Sequence, residues 1–293
     1  MSDNVYIRDP KELTPVIEEK GLLFKRDDLF RPVDNRLNGG KTRQALLLIE
    51  KNIDKMGNGV ITGTSILSPQ GPIIAGICQH YNIPCTIYYG GIKSDNKSDY
   101  YQLVKQYGAT INTDLKSGFT AVLQHEIDKR VRKTKEFNIK YGMDLKENLD
   151  IFVESTANQC ENLPDELDNL VITCGSAITS IGVIFGLYLF KKKVKNIYLI
   201  GVAPNRRKKI NEYLKMICDK FQVAENDLNT ENIIYVDAWG EDTRYKYERT
   251  MKERHGSIVF NDRYEAKTYY YLKTHINYKR EKTLMWIIGG PLK

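Results

Sequence analysis

Short apolar runs alternate with amphipathic stretches along most of this chain, and no other feature limits its fold as strongly. The runs at 60–62, 85–89, 109–111, 170–173, 197–201, 233–236 and 284–288 are nearly continuous in Val, Ile, Leu, Tyr and Cys. Strands covered on both faces have that pattern, and parallel strands are usually covered on both faces. The stretches between them have a helical period. Over 42–53, Ala45, Leu46, Ile49 and Ile53 fall near one face, and similar patterns occupy 72–81, 100–107, 179–191 and 208–221. Pro72 stands where a first-turn residue is expected. The alternation predicts an α/β architecture of mostly parallel twisted sheets flanked by helices. In such sheets ligands gather where strands end and helices begin.

Size and composition narrow the class. A chain of 293 residues with 41% hydrophobic content has room for one large core or two modest ones. No apolar run reaches about eighteen residues, so no membrane span is expected. The first residues, Met1-Ser2-Asp3-Asn4, lack a basic-then-apolar leader pattern, and a cytoplasmic protein is expected. Five scattered cysteines, mostly within apolar patterns, read as buried thiols rather than disulfides or metal ligands. Four histidines show no metal-binding spacing, so no metal is expected. The net charge is +7, with basic runs at 129–133, 191–193 and 206–209. Such runs fit the solvated faces of helices, an anionic substrate, or a grip on nucleic acid.

Several short segments carry chemistry. Asn38-Gly39-Gly40-Lys41 opens a helical pattern just after Lys25-Arg26-Asp27-Asp28-Leu29. A lysine held there and desolvated can be a neutral amine near pH 7, able to form a Schiff base with an aldehyde cofactor. A surface turn is the other reading. Residues 62–71, with Ser65, Ser68 and Gln70, join a strand to a helix; hydroxyls and free N–H groups there suit a carboxylate. Val171 to Gly182 runs from a strand into a small, hydroxyl-rich helix start, which suits a phosphate, or else is a simple capped helix. Tyr264 and Glu265 by themselves are ordinary helix residues. Ile288-Gly289-Gly290 ends the last strand.

Taken in order, these segments resemble the pyridoxal-phosphate (PLP) enzymes of the tryptophan-synthase-β class, or fold type II. The likeness is to the branch of 1-aminocyclopropane-1-carboxylate (ACC) deaminase and D-cysteine desulfhydrase, and it spans Lys25 to Gly290. The resemblance implies PLP on Lys41 as a Schiff base. It implies a phosphate cradle of Gly175, Ser176 and Thr179, Glu265 at the pyridine nitrogen, and a substrate held by Ser68 and Gln70. Lys41, Ser68 and Tyr264 would be the catalytic groups. The family's inserted small domain would occupy 46–159, leaving 1–45 and 160–293 as the large PLP-binding domain with a cleft between them. A homodimer is expected by the same analogy.

The chain departs from the family at three positions. Pro69 replaces the asparagine that faces the cofactor's phenolic oxygen. Ala177 and Ile178 replace cradle glycines, and a Cβ there disfavours positive φ. The expected function is a lyase or deaminase acting at the α-carbon of an amino-acid-like substrate. One alternative is a bacteriophage-type enzyme that remodels, by decarboxylation or elimination, an amino-acid group on a modified DNA base; the basic charge suits DNA as a partner. A third reading is an inactive binding protein that keeps the fold.

Overall fold

The computed structural model describes residues 6–92, 98–115, 118–144 and 146–291. Contacts divide the chain into two units, 1–44 with 145–293, and 45–144. Strands β1 (Val16–Glu19) and β2 (Leu22–Arg26) form an antiparallel hairpin. Lys20 and Gly21 turn it with φ of 49° and 77°, the twist that two-residue hairpins prefer. Helix α1 (Gly40–Asn52) follows, and the unit boundary falls within it.

The second unit contains β3 (Val60–Thr64), α2 (Gln70–His80), β4 (Cys85–Tyr89), α3 (Asp99–Gln106), β5 (Thr110–Asn112), α4 (Thr120–Thr134) and β6 (Phe137–Asn138). Its four strands are parallel in the order β5-β4-β3-β6. Helix α4 lies close on β3: a Cβ on Gly63 would meet Leu123 at 2.9 Å. Ile61, Leu123 and Ile127 form the core there.

The chain returns to the first unit with α5 (Asp150–Ser155) and the short turn Ala157–Cys160. Both pack on α6 (Ile178–Leu189). A Cβ on Gly186 of α6 would stand 2.5 Å from the Ala157 carbonyl. That close packing explains why the return lies at 145, before the expected 160. Strand β7 (Glu166–Cys174) precedes α6, and β8 (Lys193–Gly201), α7 (Arg207–Phe221), β9 (Ile233–Val236) and α8 (Ala238–Glu241) follow it. A small hairpin of β10 (Arg254–His255) and β11 (Ile258–Val259) precedes α9 (Glu265–His275) and β12 (Thr283–Ile287).

The main sheet has the order β1-β2-β12-β7-β8-β9. Only β1 is antiparallel, so five strands point one way. Their carboxyl ends present Asp27, Gly175, Val202 and Ile288 on one edge, the side on which parallel α/β sheets carry their sites. Helix α9 covers one face, packing Tyr269 and Leu272 with Phe24, Val171 and Met285. The fold is thus mixed α/β with parallel sheets flanked by helices. All five cysteines are buried thiols. Among the described residues, no helix is long and apolar enough to cross a membrane, and no His, Cys, Asp or Glu cluster could hold a metal.

Candidate active site

The Lys25–Leu29 segment explains how Lys41 is held. Asp27 is buried and collects three partners. Its carboxylate accepts hydrogen bonds from Thr14 Oγ1 at 2.8 Å, Trp286 Nε1 at 2.9 Å and Arg43 Nη1 at 3.1 Å. Arg43, fully buried, also donates to the Ser155 carbonyl at 3.1 Å and lies 4.4 Å from the Phe30 ring centroid. A buried ion pair of this kind adds little net stability, but removing one member strands a charge. Lys25 is buried nearby and donates to the Thr14 carbonyl and to Asn162 Oδ1, each at 2.7 Å. Asp28 receives a two-pronged ion pair from Arg26 at 2.8 and 2.7 Å.

The glycines of Asn38-Gly39-Gly40 are there for close approach. Gly39 has φ +91°, and a Cβ on it would stand 2.2 Å from the Ile288 carbonyl oxygen. No side chain fits there. Gly40 donates to that same oxygen at 2.7 Å, and Asn38 Oδ1 accepts from the Gly290 N–H at 2.7 Å. Two Gly-Gly pairs, one before α1 and one after β12, are thereby stitched together. Lys41 follows in the first turn of α1. Protein packed around its amine pulls the pKa down to about 8, and repulsion from Lys209 adds to the shift. Among the described residues its amine has no hydrogen-bond or ion-pair partner.

Glu265 begins α9 beside the same strand exit. It is buried and accepts from the Gly289 N–H at 3.3 Å. Burial pushes its carboxyl up to about 8; the backbone N–H groups of Glu265 and Gly289 oppose that, and Asp28 reinforces it. The carboxyl therefore holds a proton at neutral pH unless a positive partner arrives. Tyr264, one residue earlier, lays its ring edge 3.6 Å from where a Gly175 Cβ would be. Its hydroxyl is hydrogen-bonded to that of Tyr247, with ring centroids 5.6 Å apart. The sequence reading missed Tyr247, which sits in a loop with no periodic signal.

Gly175, Ser176 and Thr179 surround the start of α6. That helix has no side-chain cap. Among the described residues, nothing accepts a hydrogen bond from the backbone N–H groups of 176–180, or pairs with the hydroxyls of Ser176 and Thr179. Such donors at the positive end of a helix suit a phosphate. Ala177 has φ +72°, so the backbone keeps the left-handed shape that the family's glycine would take, at a cost of about 1–2 kcal/mol. Arg206 Nε donates to the Gly175 carbonyl at 3.0 Å and braces the turn from outside. These features fit a phosphorylated aldehyde cofactor: unspent donors for its phosphate, a desolvated amine for its carbonyl, and a buried carboxyl for its ring nitrogen.

Lys41, Gly175, Ser176, Thr179, Tyr264 and Glu265 all lie in the first unit. Ser68 and Gln70 lie in the second. Ser68 is buried and its Oγ accepts from the Gln70 N–H at 3.3 Å. The Gln70 amide is committed within its own unit. It donates to Thr62 Oγ1 at 3.0 Å and the Lys140 carbonyl at 3.1 Å, and accepts from the Gly142 N–H at 2.8 Å. Those partners tie the 139–142 segment to the start of α2, a bracing role that the turn pattern alone did not reveal.

Known proteins resemble this chain in sequence and in fold. Residues 7–246 match the family described as pyridoxal-phosphate dependent enzyme. The O-seryl-dTMP PLP-dependent decarboxylase of Salmonella phage ViI is 25% identical over an alignment of 351 positions, which takes in 98% of this chain and 82% of that protein. Among solved structures, an ACC deaminase homologue superposes with a TM-score of 0.73 at 16% identity, covering 92% of this chain and 84% of that one. A serine racemase from Dictyostelium discoideum superposes with a TM-score of 0.59 at 15% identity, covering 94% and 92%. At such identities the structural likenesses speak for the fold alone. The family match spans most of the chain, which belongs to the pyridoxal-phosphate dependent enzymes of fold type II and uses pyridoxal phosphate as its cofactor.

Proposed function

We propose that this enzyme decarboxylates an α-amino-acid group carried on a nucleotide. The observation that carries the reading is the match over 98% of the chain to a decarboxylase whose substrate is a seryl nucleotide. Pyridoxal phosphate, when bound, supplies an electron sink for the pair left as a bond to the α-carbon breaks. Ser176, Thr179 and the N–H groups at the start of α6 would hold its phosphate, and Gly175 leaves room for it. Lys41 presents an amine that sheds its proton near pH 8, and it would both carry the cofactor and return a proton to the α-carbon. Glu265 would keep a proton at the ring nitrogen, where a buried carboxyl pairs best with a positive partner. Tyr264, with its hydroxyl fixed by Tyr247, would hold a second proton beside the substrate. Ser68 would take the polar end of the substrate, with Gln70 acting through its bracing of Gly142.

The net change balances simply. The carbon–carbon bond to the carboxylate breaks, carbon dioxide leaves, and one proton is added at the α-carbon to give an amine. Deamination of a free amino acid is the second reading, favoured by the Tyr264-Glu265-Ala266-Lys267 stretch with its buried carboxyl. Incubation of the holoenzyme with an O-seryl nucleotide separates the two. Carbon dioxide and an aminoethyl nucleotide are expected. Ammonia with an α-keto acid, from this substrate or from free amino acids, would contradict the proposal.

A further inference from the structure

A second feature lies along β9, the edge strand of the main sheet, and has no part in the chemistry above. A cavity of about 490 Å³ opens between α7 and β9. Arg207, Asn211 and Lys215 line it from the helix, Thr230 and Tyr235 from the opposite side, and Glu225 adds one carboxylate against the two cations. The floor is aliphatic, with Leu214 and Ile233. Among the described residues, the side chains of Asn211, Lys215 and Thr230 have no hydrogen-bond or ion-pair partner, so their polar groups are available to a ligand. A rim of cations and neutral donors over an aliphatic floor suits a phosphate attached to a sugar and base.

The charge at this helix start runs against ordinary helix design. Arg206 to Lys209 place four cations at the positive end of α7, with no acidic residue in its first turn; Arg207 lines the cavity, whereas Arg206 is bound to the Gly175 carbonyl and Lys209 acts on Lys41. Cations are disfavoured there unless an anion joins them. The cavity is also wired to the cradle at α6. Tyr235 is shared: its hydroxyl accepts from the Arg206 N–H at 3.0 Å, and its carbonyl accepts from Arg207 Nη2 at 3.1 Å. The Arg207 guanidinium lies 5.5 Å from the Tyr235 ring centroid. Arg206 in turn donates to the Gly175 carbonyl at 3.0 Å. Strands β7 and β8 end in register here, Cys174 beside Gly201.

We infer that the cavity between α7 and β9 binds a phosphate of the nucleotide that carries the substrate, a step that rests on the nucleotide reading above but not on decarboxylation. The phosphate is either the monoester of a free nucleotide or a diester of a DNA strand. The test measures binding of the holoenzyme to two probes without any amino acid, dTMP and a fluorescent single-stranded oligonucleotide. Wild type is compared with Lys215→Glu and with the double variant Arg207→Glu/Lys215→Glu. Lys215 is exposed and anchors nothing, so its variant is not expected to disturb folding; the visible cofactor band checks each protein.

Wild type is expected to bind at least one probe. The double variant should lose about tenfold or more in affinity while keeping the cofactor band. For the oligonucleotide, the slope of log affinity against log salt should fall by roughly 0.7 for each cation removed. Loss confined to the oligonucleotide assigns a diester, and loss with dTMP assigns a monoester. Equal binding by wild type and double variant, or no binding of either probe to the holoenzyme, overturns the inference. An enzyme that binds through Arg207 and Lys215 yet releases no carbon dioxide from a seryl nucleotide would retire the proposed reaction and keep the pocket.

Discussion

The turn that carries Lys41 and the turn that begins α6 are built on opposite plans. Around Lys41 most polar groups are spent inside the protein: Asp27 on Thr14, Arg43 and Trp286, Asn38 and Gly40 on the strand exit at Ile288 to Gly290, while Nε and Nη2 of the buried Arg43 are left without a hydrogen-bond partner among the described residues. Both glycines remain, because at Gly39 no side chain fits. At the start of α6 the opposite holds. The backbone donors of 176–180 are unspent, and an alanine holds the left-handed position. A reactive amine has to be aimed, and aim comes from a rigid, satisfied surround. A phosphate cradle has to leave donors open.

Perturbing the two turns should give effects of very different size. Asp27→Ala leaves Arg43 buried without its carboxylate, and a loss of about 3–5 kcal/mol in unfolding free energy is expected. Chemical denaturation checks it, and a loss below about 1 kcal/mol would break the contrast. Glu265→Gln tests the buried carboxyl beside the same turn. The folded-state pKa is raised from 4.5 to about 8, so the folded protein binds more protons than the unfolded one across that range. Stability without cofactor should fall as pH rises from about 4.5 to 8, and Glu265→Gln should remove that fall. Melting curves across pH report it.

Gly39→Ala must move the Ile288 carbonyl and adopt positive φ, for an expected cost of about 1–3 kcal/mol, with weaker cofactor retention. Ala177→Gly should be the mildest change. Relief of the left-handed strain is offset by greater freedom of the unfolded chain, so stability should shift by less than about 1 kcal/mol. A large destabilisation there would show that Ala177 is part of a rigid surround after all.

The sheets were readable in the sequence because buried parallel strands are continuous apolar runs, as at Leu170 to Thr173 and Leu284 to Ile288. Lys41 and its two glycines were readable as a contiguous motif in order with the others, although what requires Gly39, the Ile288 carbonyl, lies at the far end of the chain. What escaped depends on partners far apart in the chain. Asp27 draws on Trp286, Gln70 on Lys140 and Gly142, Tyr264 on Tyr247, and Gly175 on Arg206. No local period announces those pairs. The return to the first unit at 145 was hidden likewise, since α5 belongs there only through its packing on α6.

The contrast rests finally on Lys41 being the amine that holds the cofactor. Borohydride reduction of the purified holoenzyme, followed by peptide mapping, tests this directly. A pyridoxyl group on the peptide containing Lys41 is expected. A pyridoxyl group on another lysine, such as Lys25 or Lys267, or on none, would contradict it.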